Sequence, residues 1–436
     1  MTTRPLQHIS TTTIWPRTIG PVVVAIIALF WLSILLQPLG SIAQVFRVPT
    51  ALMLLLFVPG GLLATAWNIG SESFGVFVLY AIGLSMVVTT ILTVCMSLLY
   101  PVLGFSEPLS VMSLGATSSA VLLVALSLVR GSGVESWEFS LHRFEVSPTI
   151  VLVSTLPTVA AVAAILMTRD ATPIGMYLFV SAVLGVVLLS ATDLVPRKWY
   201  PFVLFSVAFS VLLHRNLLTG HVVGADIQAI YATSELILEN QQWSADFATT
   251  SISLPVVTAV PAVVGTLAGI ELTTVFKVVY VFLFSLVPIG MYYLGRDLFD
   301  SDTAFFGGLF FMFYHISFTF TPGKQLISEL FAVLIILTLL GLQITTSRRR
   351  QIVALLSVGV IFSHYGMTYV LSLSLIVAVL SLFTLNTVQT VDSRLSVGYP
   401  ISLFVGGTIW YGYTSEELIA NLISIPASVV SQVESL

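Results

Sequence analysis

Apolar runs of about 20 residues recur along the chain, each long enough to carry a helix through the ~30 Å hydrocarbon core of a bilayer. A soluble globule of 436 residues would need far more polar surface than a chain that is 57% hydrophobic and 8% charged provides. The period-2 alternation of an outer-membrane barrel is absent. The expected fold is an all-α polytopic membrane protein. Runs read at about 19–39, 49–67, 76–100, 109–129, 150–168, 173–192, 199–217, 271–295, 303–320, 326–345, 351–365, 367–385 and 398–413, which makes about thirteen transmembrane helices. Six precede residue 199, so the chain divides into a six-helix module at 1–198 and a second module at 199–436.

One long polar stretch, His214 to Ser253, interrupts the apolar pattern and carries four of the 20 acidic residues: Asp226, Glu235, Glu239 and Asp246. Ile227, Ile230, Tyr231, Ile237 and Leu238 share one helical face, and Gln228, Glu235, Glu239 and Gln242 the other. That is the period of an amphipathic helix lying on a surface. Trp243 at its end suits a membrane interface. The following segment, Leu254 to Ile270, is apolar but contains Pro255, Pro261, Gly265 and Gly269, and reads as a Pro-broken, partly embedded helix.

Whether that segment crosses is decided by the basic residues. With the N-terminus cytoplasmic and the segment not crossing, Arg47, Arg169, Arg215, Lys277 and Lys324 lie outside and the other 11 of the 16 Lys and Arg inside. Letting it cross would even the split at 8 against 8. The positive-inside rule favours the first arrangement. The expected location is the cell membrane, with the N-terminus cytoplasmic, the C-terminus extracytoplasmic and 214–270 an outer-face substructure.

Several function classes are excluded. Cys95 is the only cysteine, so an intrachain disulfide and a cysteine metal cluster are ruled out, and packing is its expected role. No basic patch is large enough for nucleic acid; Arg348, Arg349 and Arg350 read as a cytoplasmic anchor. The charges of Arg130 to Ser147, with His142 and Arg143, show no site spacing and read as a solvated loop.

On the expected outer face, Arg215, His221, Asp226, Glu235, Lys277, Lys324, Glu329 and His364 converge from separate parts of the chain. A carboxylate facing cations suits transfer of a sugar from a polyprenyl phosphate. A base takes the acceptor's proton, and cations stabilise the charge developing on the departing phosphate. Each residue also has a plainer reading. Asp226 precedes a helix and could be its N-cap. Lys324 could anchor a span at the interface, and Lys277 could snorkel or pair with Glu271. His364 could satisfy the backbone of a turn, and Tyr314 and His315 read as packing residues.

From about Trp199 to Tyr413 the chain resembles the GT-C superfamily of lipid-phosphate-dependent membrane glycosyltransferases, and more closely the archaeal membrane proteins grouped as DUF2206. The matching stretches are GADIQAIY from Gly224, LPVVTAVPAVVGTLAG from Leu254, YYLGRDLFDSDTAFFGGLFF from Tyr292, FTPGKQLISELF from Phe320 and FSHYGMTY from Phe362. The resemblance implies a seven-helix catalytic module preceded here by six extra helices, with glycosylation on the outer face. It places Asp226 as the first-loop acidic residue, acting as base or holding a divalent metal, with Mg or Mn as the candidate ions. Glu235 is the second catalytic candidate. Arg215, Lys324 and His364 are the candidates for donor-phosphate binding, and Tyr231 and His221 for substrate binding. The implied partners are a polyprenyl-phosphate-linked sugar and the lipid bilayer, with membrane-protein partners open.

Paired acidic residues are common in that family's loop, whereas Ile227 and Gln228 follow Asp226 here. The chain also ends soon after the seventh module helix, the pattern of a fragment or a degenerate member. Two other readings stand beside the enzyme: a transporter or flippase of lipid-linked glycans, and a non-catalytic membrane subunit of a glycan-assembly complex.

Overall fold

The computed structural model describes residues 12–14, 16–69, 73–131, 137–139, 148–170, 172–192, 194–247, 249–314, 318, 320–386, 395–415 and 420. His142, Arg143, His315, Arg394 and nearly all of the chain after Ser415 lie outside them.

The described chain is almost wholly helical. The first half contains α1 (Pro16–Leu35), α2 (Ser41–Leu56), α3 (Val58–Ala66), α4 (Phe74–Val102), α5 (Val111–Gly131), α6 (Pro148–Asp170) and α7 (Ile174–Ser190). Then come α8 (Tyr200–Leu217), α9 (Ala225–Asn240), α10 (Pro255–Ala268), α11 (Leu272–Thr274), α12 (Val281–Phe284), α13 (Val287–Leu298) and α14 (Ser301–Tyr314). The last four are α15 (Lys324–Leu340), α16 (Thr346–Ser363), α17 (Tyr365–Asn386) and α18 (Gly398–Thr414). The exception is a ribbon: β1 (Thr12–Ile14) pairs antiparallel with β2 (Trp137–Phe139), inside the stretch expected to be loop.

Among the described residues, seven helices are long and apolar enough to cross a membrane, not thirteen: Ser41–Ala66, Phe74–Val102, Val111–Val129, Pro148–Arg169, Arg197–Leu217, Leu272–Leu298 and Tyr365–Leu385. The first merges α2 with α3, and the sixth runs from α11 through a π-helical stretch at Val275–Tyr280 to α13. The difference has a local cause. The Arg348–Arg350 run lowers the apolarity of α16, and α14 is only 14 residues long. This is a multi-pass helical architecture of membrane type.

Burial corrects three expectations. α10 is not broken: Pro261 lies inside a continuous helix, and 13 of its 14 residues are buried by protein. It packs against α9, α2, α4 and α16. At about 21 Å it is shorter than the ~30 Å core of a bilayer. Its last carbonyls, which no residue further along the helix can satisfy, are taken by α2. Arg47 Nε donates to Leu267 O at 2.9 Å and its Nη2 to Thr266 O at 2.9 Å, while Gln44 Nε2 reaches Ala268 O at 2.9 Å. Arg47 is thus a buried helix cap and not a loop cation.

Trp243 is likewise no interface anchor. It is fully buried, stacks 5.7 Å from Trp410, and donates from Nε1 to Ile252 O at 3.0 Å. A hydrogen-bonded indole loses nothing by leaving the interface. Cys95, expected to pack inside, is exposed on α4.

Candidate functional site

Two distant loops are joined where α9 and α15 begin. Thr321 N donates to Val223 O at 2.9 Å, Val223 N donates to Thr321 Oγ1 at 2.8 Å, and the Thr321 hydroxyl donates to Asn216 Oδ1 at the end of α8. Gln228 Nε2 holds Val222 O at 2.8 Å, and the buried Lys277 donates to Thr219 O. Five hydrogen bonds, each worth about 0.5–1.5 kcal/mol net, therefore fix the loop that delivers α9. Lys277 meets a carbonyl here, where the sequence offered Glu271.

Both loops end in glycine for reasons visible in the backbone. Gly224, the N-cap of α9, sits at φ 130°, a conformation that side chains oppose. A Cβ on Gly323 would lie 3.1 Å from Ile227 Cδ1 and 3.3 Å from Ile230 Cδ1. The starts of α9 and α15 come this close because Gly323 has none. With Gly224 as cap, Asp226 is not the N-cap, and its side chain is directed elsewhere.

Its partner is Lys324, the first residue of α15, with Nζ 2.8 Å from Asp226 Oδ2. The exposures are unequal, 20% for the lysine side chain and 72% for the aspartate. The ammonium also lies 5.4 Å from the centre of the Tyr365 ring, within cation–π range. Tyr365 opens α17, and His364 occupies the joint between α16 and α17, outside both helices. His364 Nδ1 accepts the Met367 N–H at 2.9 Å, and its ring stacks on Tyr365 at 5.1 Å. The turn-satisfying role is therefore real. Burial first, and Lys324 second, push the imidazole down to about 4 against a smaller opposing pull from Asp226. It stays neutral at physiological pH, with Nε2 as its donor.

A cleft of about 400 Å³ opens over Asp226 and Lys324, lined also by Gln325, Phe320, Thr321 and Gly323 among others; His364 and Tyr365 are not among its lining residues. A larger one, about 460 Å³, lies at the far end of α15 around Tyr293, Arg296, Asp297 and Gln343. Its charges pair between sequence neighbours, Arg296 and Asp297, at 2.9 Å. A third, about 400 Å³, is lined by Arg197, Tyr200 and Asp302, and there both oxygens of the carboxylate already have donors. We take the first as the candidate site because it gathers opposite charges from separate segments through a single contact.

The other expected residues are placed as follows. Glu235 is exposed on α9, nine residues beyond Asp226, which is about 13 Å of rise and half a turn around the helix. The structure does not bring these two carboxylates together. Tyr231 shares a hydrogen bond with Thr273 at 2.9 Å and so ties α9 to α11. His221 is exposed, and Arg215 is half-buried in the last turn of α8; neither lines the cleft. Tyr365 was missed by sequence reasoning although it adjoins His364. Its signal was an aromatic at a helix start, which alone is indistinguishable from packing.

Divalent metal fits this donor set poorly. Among the described residues no group of three or more His, Cys, Asp or Glu could hold an ion. An ion on Asp226 would also face the Lys324 ammonium already 2.8 Å away. No family model, no curated protein and no solved structure matches this chain.

Proposed function

We propose that this protein is a GT-C-type membrane glycosyltransferase that moves a sugar from a polyprenyl-phosphate-linked donor to an acceptor at the Asp226 cleft. The observation that carries the reading is the Asp226–Lys324 pair at the rim of that cleft. A carboxylate that is 72% exposed can reach an acceptor hydroxyl, and a cation held at a fixed place can meet a phosphate. In the proposed step the acceptor oxygen gives its proton to Asp226 and forms a bond to the anomeric carbon. The bond from that carbon to the phosphate oxygen breaks, and the phosphate leaves as an anion beside Lys324. His364 offers a hydrogen bond from Nε2 without adding charge. Phe320, 41% exposed at the cleft wall, offers apolar surface to a prenyl chain. No step is assigned to a metal.

On the asymmetry of basic residues we place this face outside the cytoplasm and the N-terminus within it, in the cell membrane. The bilayer itself would then present the donor's lipid.

The test is the glycan profile of a deletion strain complemented with wild-type chain or with Asp226→Asn at matched membrane level. Loss of a general base lowers turnover about 10²- to 10⁴-fold, so one glycan step should vanish in the variant. Full rescue by Asp226→Asn would sink the catalytic assignment. A second reading, a lipid-phosphate-binding subunit without transferase activity, draws on one observation: Asp226 is the only carboxylate among the residues lining the cleft.

A further inference from the structure

The Asp226–Lys324 pair carries an asymmetry that catalysis alone does not need. Lys324 has two attachments, the Asp226 carboxylate and the Tyr365 ring, and its side chain is four-fifths covered. Asp226 has one ion-pair partner and is mostly in water. An ion pair with one exposed member is weak, because water solvates the released carboxylate nearly as well as the lysine does. The ammonium lacks that freedom, since the Tyr365 ring and the cover over its side chain hold it at the cleft.

We propose that this pair is the resting form of the cleft and that an incoming anionic headgroup exchanges with Asp226 on Lys324, while the ammonium stays seated on Tyr365. The proposal rests on the reading of the cleft as a phosphate-binding site. No covalent step is involved. One anion replaces another on the lysine, and Asp226 is released, as a free carboxylate, only when the headgroup is bound. The exchange thus links donor binding to the availability of the base. It also makes Tyr365 a positioning residue for Lys324, not a catalytic one.

The experiment measures binding of farnesyl phosphate, with farnesol as the uncharged control, to the purified full chain in lipid nanodiscs. Four variants of matched thermal stability are compared: Asp226→Asn, Lys324→Gln, Tyr365→Phe and Tyr365→Leu. Removing a competing exposed carboxylate should tighten farnesyl phosphate binding about two- to fivefold and leave farnesol unchanged. Lys324→Gln should weaken the phosphate selectively. Tyr365→Phe should match wild type, because the ring face is retained, and Tyr365→Leu should weaken binding about two- to fivefold.

If Asp226→Asn binds equally or more weakly while Lys324→Gln still loses the phosphate, the exchange is overturned and the phosphate site stands. If wild type binds farnesyl phosphate no better than farnesol, the phosphate reading falls and the exchange falls with it.

Discussion

Two cross-helix ion pairs sit at opposite ends of α8 and are built differently. Before its first turn, Arg197 grips Asp302 of α14 with two guanidinium nitrogens, Nε to Oδ1 at 3.0 Å and Nη2 to Oδ2, and the Tyr200 hydroxyl adds a third bond to Oδ1 at 2.9 Å. Beyond its last turn, Lys324 meets Asp226 through a single contact at the rim of a cleft. The first has no oxygen of Asp302 left without a donor, and a planar fork fixes its geometry. The second leaves Asp226 Oδ1 and two ammonium hydrogens for other uses. Three donors on one carboxylate fasten two helices, whereas one contact on an exposed carboxylate can be exchanged. Charge pairing alone does not separate structural from functional groups; the number of bonds each partner holds does.

The sharpest way to break that comparison is to remove one cation from each pair. Lys324→Met should lower glycan transfer by at least about 100-fold, the usual cost of losing a group that stabilises charge developing in the transition state. Arg197→Gln should leave transfer intact and lower the thermal midpoint slightly, because both members of its pair are solvent-exposed. In-membrane glycan assays at matched protein level read the first, and thermal scans in detergent the second. Loss of the glycan step in a stably accumulated Arg197→Gln would show that bond count does not discriminate.

The next effect in size concerns Arg47, a cation of a third kind. Its partners are the last carbonyls of α10, which are left without donors if it is truncated. Arg47→Met should cost about 1–3 kcal/mol, the penalty for orphaning buried acceptors. Thermal unfolding of the purified chain measures this loss. Because Arg47 is far from Asp226 in the chain and touches no cleft residue in these contacts, whatever protein remains folded should retain transfer. An unchanged midpoint would mean that water reaches those carbonyls.

How much of this was legible follows from what each feature writes into the sequence. The faces of α9 could be read because a 3.6-residue period is local: Ile227, Ile230 and Ile237 are buried, and Glu235 and Glu239 are exposed. Asp226, Lys324 and His364 could be grouped on one face by counting spans, and the structure brings them within electrostatic reach of one another. The pairings themselves were not legible. Arg47 meets carbonyls some 220 positions away, and Trp243 stacks on Trp410 across the chain. Neither contact has a period or a spacing. Among the described residues, seven of the thirteen expected spans meet the length and apolarity of a bilayer crossing, and several of the others fall short by little, Ile19–Leu35 and Ile174–Ser190 at 17 residues each. Hydropathy also does not say whether protein or lipid covers an apolar run, and α10 is covered by protein.

The smallest expected effect separates His364 from the charged pair beside it. Lys324, Asp226 and the Tyr365 ring face its imidazole, and burial with the Lys324 charge holds it at about 4, below its ordinary 6.5. A base whose folded value is depressed contributes stability that is complete above 6.5 and is lost as pH falls from 6.5 toward 4, since the unfolded chain takes up the proton first. Transfer should therefore show no inflection from this group near 6.5. His364→Asn keeps an acceptor for the Met367 N–H but has nothing to titrate. Between pH 8 and 4.5 the wild-type thermal midpoint should fall further than that of the variant. Parallel curves would mean that the imidazole is already charged in the folded protein. His364 would then be a second cation within electrostatic reach of Asp226, which would have two charge partners in place of one, and the contrast with Asp302 would be removed.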